Sequence, residues 1–582
     1  MRRYRAVRAL LIAAAVGTSL TAAGCSLGED EARQPSPTAP VSSPSPAAGG
    51  AGSALPVRTV GPAWEKPKQA EANGSGVMYE IFVRAFADSD GDGIGDLRGV
   101  VGKLDYLREL GVEGIWLMPI HPSPSYHGYD VTDYEAVHPD YGTLEDFKLL
   151  TKEAHARGMK VIIDLVVNHT SREHPWFRDS AAGGDKRGWY TWAEDAGMEP
   201  KGASAAGAAS AWHPLGGSHY LGIFWEGMPD LNLDHPEVRA EMIRIGRYWL
   251  ELGADGFRLD AAKHIYGDFR DTEKSPEVQK RNLDWWKEFA DGLRQVRPDV
   301  YLVGEVWDSP SVIAPLLAGG LDAGFNFDLS ARLLSAARSE RDSGLAGWLV
   351  RIYELYAKSA GGVASDAPFL TNHDGKRAMS ELEGNVDHAK TAASLLLTMP
   401  GHPFMYYGEE IGMTGVKPDE NLREPMIWVS GDEAAARAAG QTTWREAKFG
   451  AALQAGALAQ MRDPSSLWSR YRTLLKWRST YAALRDGGIA EYAPPAADAA
   501  ASAAEANASV AAFVRYTDAE RLLVAHNLSG AEQRLRLAPE YRELAESAAA
   551  SESAGGGAAD TARSRVEGDL LVLAPYDSVI VK

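Results

Sequence analysis

Asp260, Glu305 and Asp374 each follow a short apolar run, in segments 256–264, 304–307 and 369–374. Carboxyl groups brought by separate strands to one mouth can act as a set, one holding charge while another carries a proton. Histidines accompany them at His169, His264 and His373. Arg258 lies two residues before Asp260, so in a strand both side chains share a face and the guanidinium can keep Asp260 ionised. A different spacing governs 88–96, where Asp88, Asp90, Asp92 and Asp96 alternate with Gly91, Gly93 and Gly95. Glycines permit tight curvature and the carboxylates supply hard oxygens, as a Ca²⁺ loop requires; unneutralised, the four would repel one another. It is no EF-hand, because Gly99 stands where the closing glutamate would be.

Positioning these groups falls to short buried strands. Apolar runs at 77–82, 114–118, 161–166, 256–259, 301–304, 369–370 and 404–406 alternate with helical patterns such as 144–157, 237–250 and 283–296. That alternation predicts a parallel sheet covered by helices, and polar groups at the C-terminal strand ends are where a barrel builds its site. A long aromatic and Gly/Ala-rich interruption after Asn168-His169 predicts an inserted small domain at 170–229, which splits the catalytic unit into 73–169 and 230–485. A helix at 467–478 closes that unit. Alternating runs at 510–516, 521–526, 533–537 and 570–573 then predict a C-terminal antiparallel β domain over 486–582. The Ala-rich pieces 496–508 and 545–562 read as variable loops.

A length of 582 residues calls for two or three domains, and a net charge of −19 argues against nucleic-acid binding while leaving a neutral polymer compatible. The single cysteine, Cys25, rules out a disulfide framework and a cysteine metal site. Arg2, Arg3, Arg5 and Arg8 precede an apolar stretch too short to span a bilayer, and residues 20–25 resemble a bacterial lipobox with Ala22 where leucine is usual. The expectation is a signal peptide over 1–25, acylation of Cys25, and a Ser/Pro/Ala/Gly-rich tether over 26–72. The protein is then an extracytoplasmic monomer anchored to the cell membrane only by lipid, or secreted if the lipobox is unused.

The strand-end segments, together with 164–169, 228–232 and Tyr129 upstream, resemble the ordered sequence regions of the α-amylase superfamily of glycoside hydrolases over about 77–485. The resemblance implies an α/β fold: a (β/α)8 TIM barrel with a small domain inserted after strand 3 and a C-terminal antiparallel β-sandwich. It makes Asp260 the nucleophile and Glu305 the acid/base, about 5–5.5 Å apart in a retaining enzyme. Asp374 becomes the third carboxylate, whose charge helps keep Glu305 protonated. Substrate contacts are implied for Tyr129, Asp130, His169, Arg258, Lys263, His264, His373, Trp307 and Arg377. The calcium loop takes Asp88, Asp90, Asp92 and Asp96 as side-chain ligands and Ile94 through its carbonyl; a second site would use Asn168, Asp230 and the His264 carbonyl.

The implied substrates are starch, maltodextrins and maltooligosaccharides cut at α-1,4 bonds. Ala261 and Lys263-His264 resemble the amylase pattern, whereas Gly128-Tyr129-Asp130 and the acidic loop resemble the oligo-1,6-glucosidase branch. Met228-Pro229-Asp230 lies between glucosidase-like and neopullulanase-like versions. Alternatives are an α-glucosidase or neopullulanase-like enzyme, a transglycosylase on the same barrel, and a non-catalytic glucan-binding lipoprotein, which retention of all three carboxylates disfavours.

Overall fold

Seven strands pair in parallel in the order β8-β7-β6-β3-β2-β1-β9, where β1 is Met78–Ile81, β2 Gly114–Leu117, β3 Lys160–Leu165, β6 Gly256–Leu259, β7 Tyr301–Gly304, β8 Ala323–Gly324 and β9 Phe404–Tyr406. Parallel bridges Phe325↔Ala367 and Phe369↔Phe404 join the two ends through residues 367–369, which closes the sheet into an eight-membered barrel. This is a computed structural model, and it describes residues 76–360, 365–449, 455–495, 508–549 and 563–582. Cys25, the leader and the tether lie outside the described residues. No helix among the described residues is long and apolar enough to cross a membrane.

The strands read as unbroken apolar runs because helices cover them: every residue of β1, β2, β6 and β7 is buried. Helix Leu144–Ala156 starts at a capping box in which Thr143 and Asp146 satisfy each other's backbone groups. Helix Pro276–Arg294 starts at the Ser275 cap and turns Trp285, Trp286, Phe289 and Leu293 inward at helical spacing. Two elements differ from expectation. Strand β8 has only two residues, too few to leave a periodic signal, and the 367–369 segment contributes isolated bridges rather than a full strand.

The excursion after β3 carries helix Pro175–Ala181 and a hairpin of β4 (Trp212–Leu215) with β5 (Ser218–Leu221). Phe177, Trp192 and Tyr220 pack together inside it, and the antiparallel bridge His169↔Asp230 ties its base. Beyond helix Leu467–Thr480, a five-stranded antiparallel sheet, β10-β11-β12-β17-β14, shares a core with a three-stranded one, β13-β16-β15. Strands Gly488–Glu491 (β10), Val510–Tyr516 (β11), Arg521–Asn527 (β12) and Ser578–Val581 (β17) belong to the larger sheet. The fifth is Leu544–Ser547 (β14), which corrects the reading of 545–562 as loop from its start: its edge pairing to β17 supplies the strand, not its own alanine-rich composition. The smaller sheet is Gln533–Arg536 (β13), Arg565–Glu567 (β15) and Leu570–Leu573 (β16).

Candidate active site

Three strand ends converge on one guanidinium. Arg258, in β6, is 1% exposed. Its Nη1 donates to Asp260 Oδ1 at 2.6 Å and to Asp164 Oδ1 at 3.0 Å, and its Nη2 lies 2.9 Å from Glu305 Oε2. Asp260 and Glu305, 45 positions apart in the chain, thus sit on adjacent nitrogens of the same group. The chain turns sharply between them: Ala261 adopts a left-handed φ of 50°, and its N–H donates to Glu305 Oε2 at 3.2 Å. A non-glycine residue held there is strained, and the surrounding ladder must stabilise it.

Three carboxyls share this one cation, so they cannot all ionise freely. Burial pushes Asp164 up to about 7, against the pull of Arg258. Burial also raises Glu305, with Arg258 opposing and the charges of Asp260 and Asp374 adding to the rise. Asp260 is raised by burial as well, but it holds the shortest contact to Arg258 and is the member best placed to carry the charge.

A second cluster faces the first. His373 is fully buried, with Nδ1 on Glu80 and Nε2 near both Tyr129 Oη (2.7 Å) and Asp374 Oδ2 (3.1 Å). Burial would lower its pKa, but Asp374 and Glu80 outweigh that and push it up to about 10, leaving an imidazolium at neutral pH. For Asp374 burial acts upward, yet His373, Arg423 and Arg258 hold the carboxyl well below the usual range. Arg423 donates to Asp374 Oδ1 at 2.9 Å and to the His373 carbonyl at 3.1 Å. Tyr129 links the clusters. Its hydroxyl donates to Asp164 at 3.0 Å, and its half-buried ring stacks on His373 at 5.6 Å and 14°.

The other expected substrate contacts divide. His169 has Nε2 3.2 Å from the Tyr129 carbonyl and Nδ1 3.1 Å from Asn168 Oδ1; burial lowers its pKa to about 4, so the ring is neutral. Asp130 is buried and accepts from Ser123 Oγ at 2.6 Å and from Ser125. His264, lowered to about 4 by burial, pairs with the Gly267 carbonyl. Lys263 donates to the Trp307 carbonyl at 3.1 Å and to Asp308 at 3.3 Å. Trp307 stands 58% exposed with one face on Phe327.

Arg377 is a correction. It is 2% exposed and donates to the Leu422 and Tyr407 carbonyls at 2.8 and 2.7 Å, packing over Tyr406 and Tyr407, so it braces the loop after β9 instead of meeting substrate. The arginine that does meet Asp374 is Arg423, which no strand-end pattern marks. Glu80 and Asp164 also went without a role, although each is a lone carboxylate inside an apolar buried run, and a buried charge demands a partner.

In the acidic loop, Asp88, Asp90 and Asp96 bring ligand oxygens within 4.8 Å of one another. Asp88 gathers the N–H groups of Asp90, Gly91 and Gly93, while Asp96 caps helix Leu97–Leu110 through Gly99. The positive φ of Gly91 and Gly93 makes the curl. This all-oxygen set fits a hard divalent cation. Asp92 stands apart from the trio and accepts from the Ile94 N–H at 2.7 Å. Of the second expected ligand set, Asn168 Nδ2 donates to the His264 carbonyl at 3.0 Å, and Asp230 is buried and accepts from the Ile223 N–H at 3.1 Å.

An eight-stranded parallel barrel with acids gathered at its C-terminal mouth defines a glycoside hydrolase of the amylase type, and comparison with known proteins agrees. Residues 80–487 match the family described as alpha amylase, catalytic domain, and 510–580 match the alpha-amylase SusG C-terminal domain. The chain belongs to the alpha-amylase family. It is 40% identical over 509 residues to Alpha-amylase 3 of Dictyoglomus thermophilum, covering 87% of this chain and 93% of that one. An oligo-1,6-glucosidase of Parageobacillus thermoglucosidasius is 36% identical over 381 residues, covering 59% and 66%. The crystal structure of an alpha-amylase from H. orenii superposes with a TM-score of 0.76 at 38% identity, covering 88% of this chain and 99% of that chain.

Proposed function

We propose that this protein is a retaining hydrolase of α-1,4-glucosidic bonds in starch and maltooligosaccharides. The observation that carries the proposal is the placement of Asp260 and Glu305 on neighbouring nitrogens of Arg258. Asp260 attacks the anomeric carbon while Glu305 protonates the departing glycosidic oxygen. Glu305, now ionised, takes a proton from water, whose oxygen displaces Asp260 and restores the α configuration. Asp374 and Arg423 hold hydroxyls of the glucose under attack, and the Tyr129 ring covers one face of that sugar. Calcium at Asp88, Asp90 and Asp96 would supply stability by binding the native loop only. Cys25 would carry the lipid that holds the enzyme outside the cell membrane.

An α-1,6 preference is the second reading, favoured by the oligo-1,6-glucosidase relative, but that likeness spans a smaller share of the chain than the likeness to Alpha-amylase 3. Rates and products on starch, maltotriose, isomaltose and pullulan decide between them, with the anomer first released read by proton NMR. Release of β-anomers, or faster action on isomaltose than on maltotriose, overturns the proposal. Labelling of wild type but not Cys25→Ala with palmitate tests the anchor.

A further inference from the structure

The parallel register sets Glu80 of β1, Trp116 of β2 and Ile162 of β3 side by side. Residues opposite one another in neighbouring strands share a face, and Glu80 turns into the barrel, where it meets His373. Trp116 is thus an interior residue, 1% exposed. It packs on Phe325 at 5.5 Å and Phe404 at 6.0 Å, ring to ring. It also meets one cation from each cluster. The Arg258 guanidinium stands 5.3 Å from the centre of the indole, and the His373 ring lies 5.6 Å away at 77°. Aromatic faces attract cations, indole most strongly.

Arg258 needs such a support. Its Nη1 and Nη2 carry three carboxyls, while its buried Nε has no hydrogen-bond partner among the described residues. Hydrogen bonds therefore fix one edge of the guanidinium, and its tilt is set by what lies against it: the Trp116 ring, and the Tyr129 ring at 5.7 Å. The Trp116 indole N–H is likewise without a partner among the described residues. A buried N–H left unpaired is costly and a phenylalanine would avoid it, so the ring face, not hydrogen bonding, explains an indole at this position. Any tilt of the guanidinium moves Asp260 and Glu305 together, because both rest on it.

We propose that Trp116 is a positioning residue for the hydrolysis: its ring face orients the Arg258 guanidinium so that Asp260 and Glu305 are presented as a pair. The proposal rests on the hydrolase reading above. Fully buried, Trp116 touches no sugar, so its loss falls on kcat and spares KM. The test replaces Trp116 with tryptophans bearing one to four ring fluorines, introduced by stop-codon suppression. Fluorine withdraws negative charge from the ring face and barely alters its size. On maltoheptaose kcat falls stepwise along the series, to about a tenth of wild type at four fluorines, with KM held within about twofold. Trp116→Phe, which keeps a weaker face, falls within the series, and Trp116→Leu loses about thirtyfold. Should the leucine protein not fold, the fluorinated proteins still decide. A kcat that stays flat along the series, or a loss that lies in KM, overturns the proposal. A second readout needs no turnover: fluorination lowers the urea midpoint of the otherwise native protein more than that of Arg258→Met. Equal shifts in the two backgrounds overturn the hold of the ring on Arg258. A wild-type protein inactive on every glucan sinks the hydrolase reading instead, and the denaturation comparison then reads that hold by itself.

Discussion

The two clusters at the barrel mouth use the same residue types in different proportions. Around Arg258 one cation faces three buried carboxyls, Asp164, Asp260 and Glu305. Around His373 and Arg423 two cations face two, Glu80 and Asp374. The first cluster is short of positive charge, so burial, with the charges of Asp260 and Asp374, succeeds in raising Glu305 against the pull of Arg258. The second is balanced, so Asp374 is held ionised and His373 protonated, and neither titrates near neutrality. Proton traffic belongs to the deficient cluster and fixed charge to the balanced one. Tyr129 spans them, so in the proposed hydrolysis one cluster holds the sugar and the other cleaves it.

The largest effects come from breaking the deficient cluster. Asp260→Asn and Glu305→Gln should each cost about 10⁴-fold or more in kcat on maltoheptaose, since in the proposed mechanism they act as one unit of nucleophile and proton donor. Both proteins should keep their Tm, because each change relieves Arg258 of one competing carboxylate. Arg258→Met does the opposite. It leaves three carboxyls buried without their cation, and a cost of about 3–5 kcal/mol in stability at pH 7 is expected, read by urea denaturation. Folded-state carboxyl pKa values then lie further above their unfolded values, so the loss is greatest at high pH and shrinks as pH falls and the acids take up protons. A loss of stability independent of pH would mean that the arginine serves packing alone.

The balanced cluster gives the next effect. Asp374→Asn removes one of the two charges that hold His373 up, and about 10²–10³-fold should be lost in kcat/KM. His373 should also begin to titrate below its wild-type value of about 10, followed by its ring proton resonances. The stability sign is set by that raised value: in wild type the stabilising imidazolium is fully present below about 6.5, the unfolded value, and is lost as pH rises through about 10. Glu305 loses a neighbouring charge in the same variant, so its carboxyl falls and the alkaline limb of activity moves to lower pH. An unmoved limb would show that the two clusters do not sense each other.

The two clusters were not equally readable. Asp260, Glu305, Asp374 and His373 follow apolar runs, and the period of those runs exposes them. The cations and hidden acids that set their protonation were harder, because Arg423 comes from a loop and reaches Asp374 through tertiary folding alone. Glu80 and Asp164 left a faint mark as charges within buried strands. The same contrast holds for the fold. Long strands such as Val510–Tyr516 keep the bounds of their apolar run, whereas the two-residue Ala323–Gly324 and the edge strand Leu544–Ser547 exist because neighbours pair with them. Arg377 misled because a polar residue after a catalytic motif reads as a contact, and only packing reveals that its guanidinium points down to the Tyr407 and Leu422 carbonyls.

The smallest effect comes from the acidic loop and sharpens the comparison by leaving both clusters intact. On the proposed calcium site, chelation or Asp90→Asn at saturating calcium removes a ligand that would bind only the native loop, so about 2–3 kcal/mol is lost when calcium stands near a hundredfold over its Kd. In a domain this large that lowers Tm by only a few degrees, measured by scanning calorimetry with and without chelator. The loop meets the rest of the barrel through Asp88 to Gly440 and Gly93 to Thr443 backbone bonds, not through Arg258 or His373. The pH profile of kcat should therefore superpose with and without calcium at temperatures below the lowered Tm. If chelation shifts the alkaline limb, calcium is tuning Glu305, and the separation of proton traffic from fixed charge extends to a third element, outside the barrel mouth.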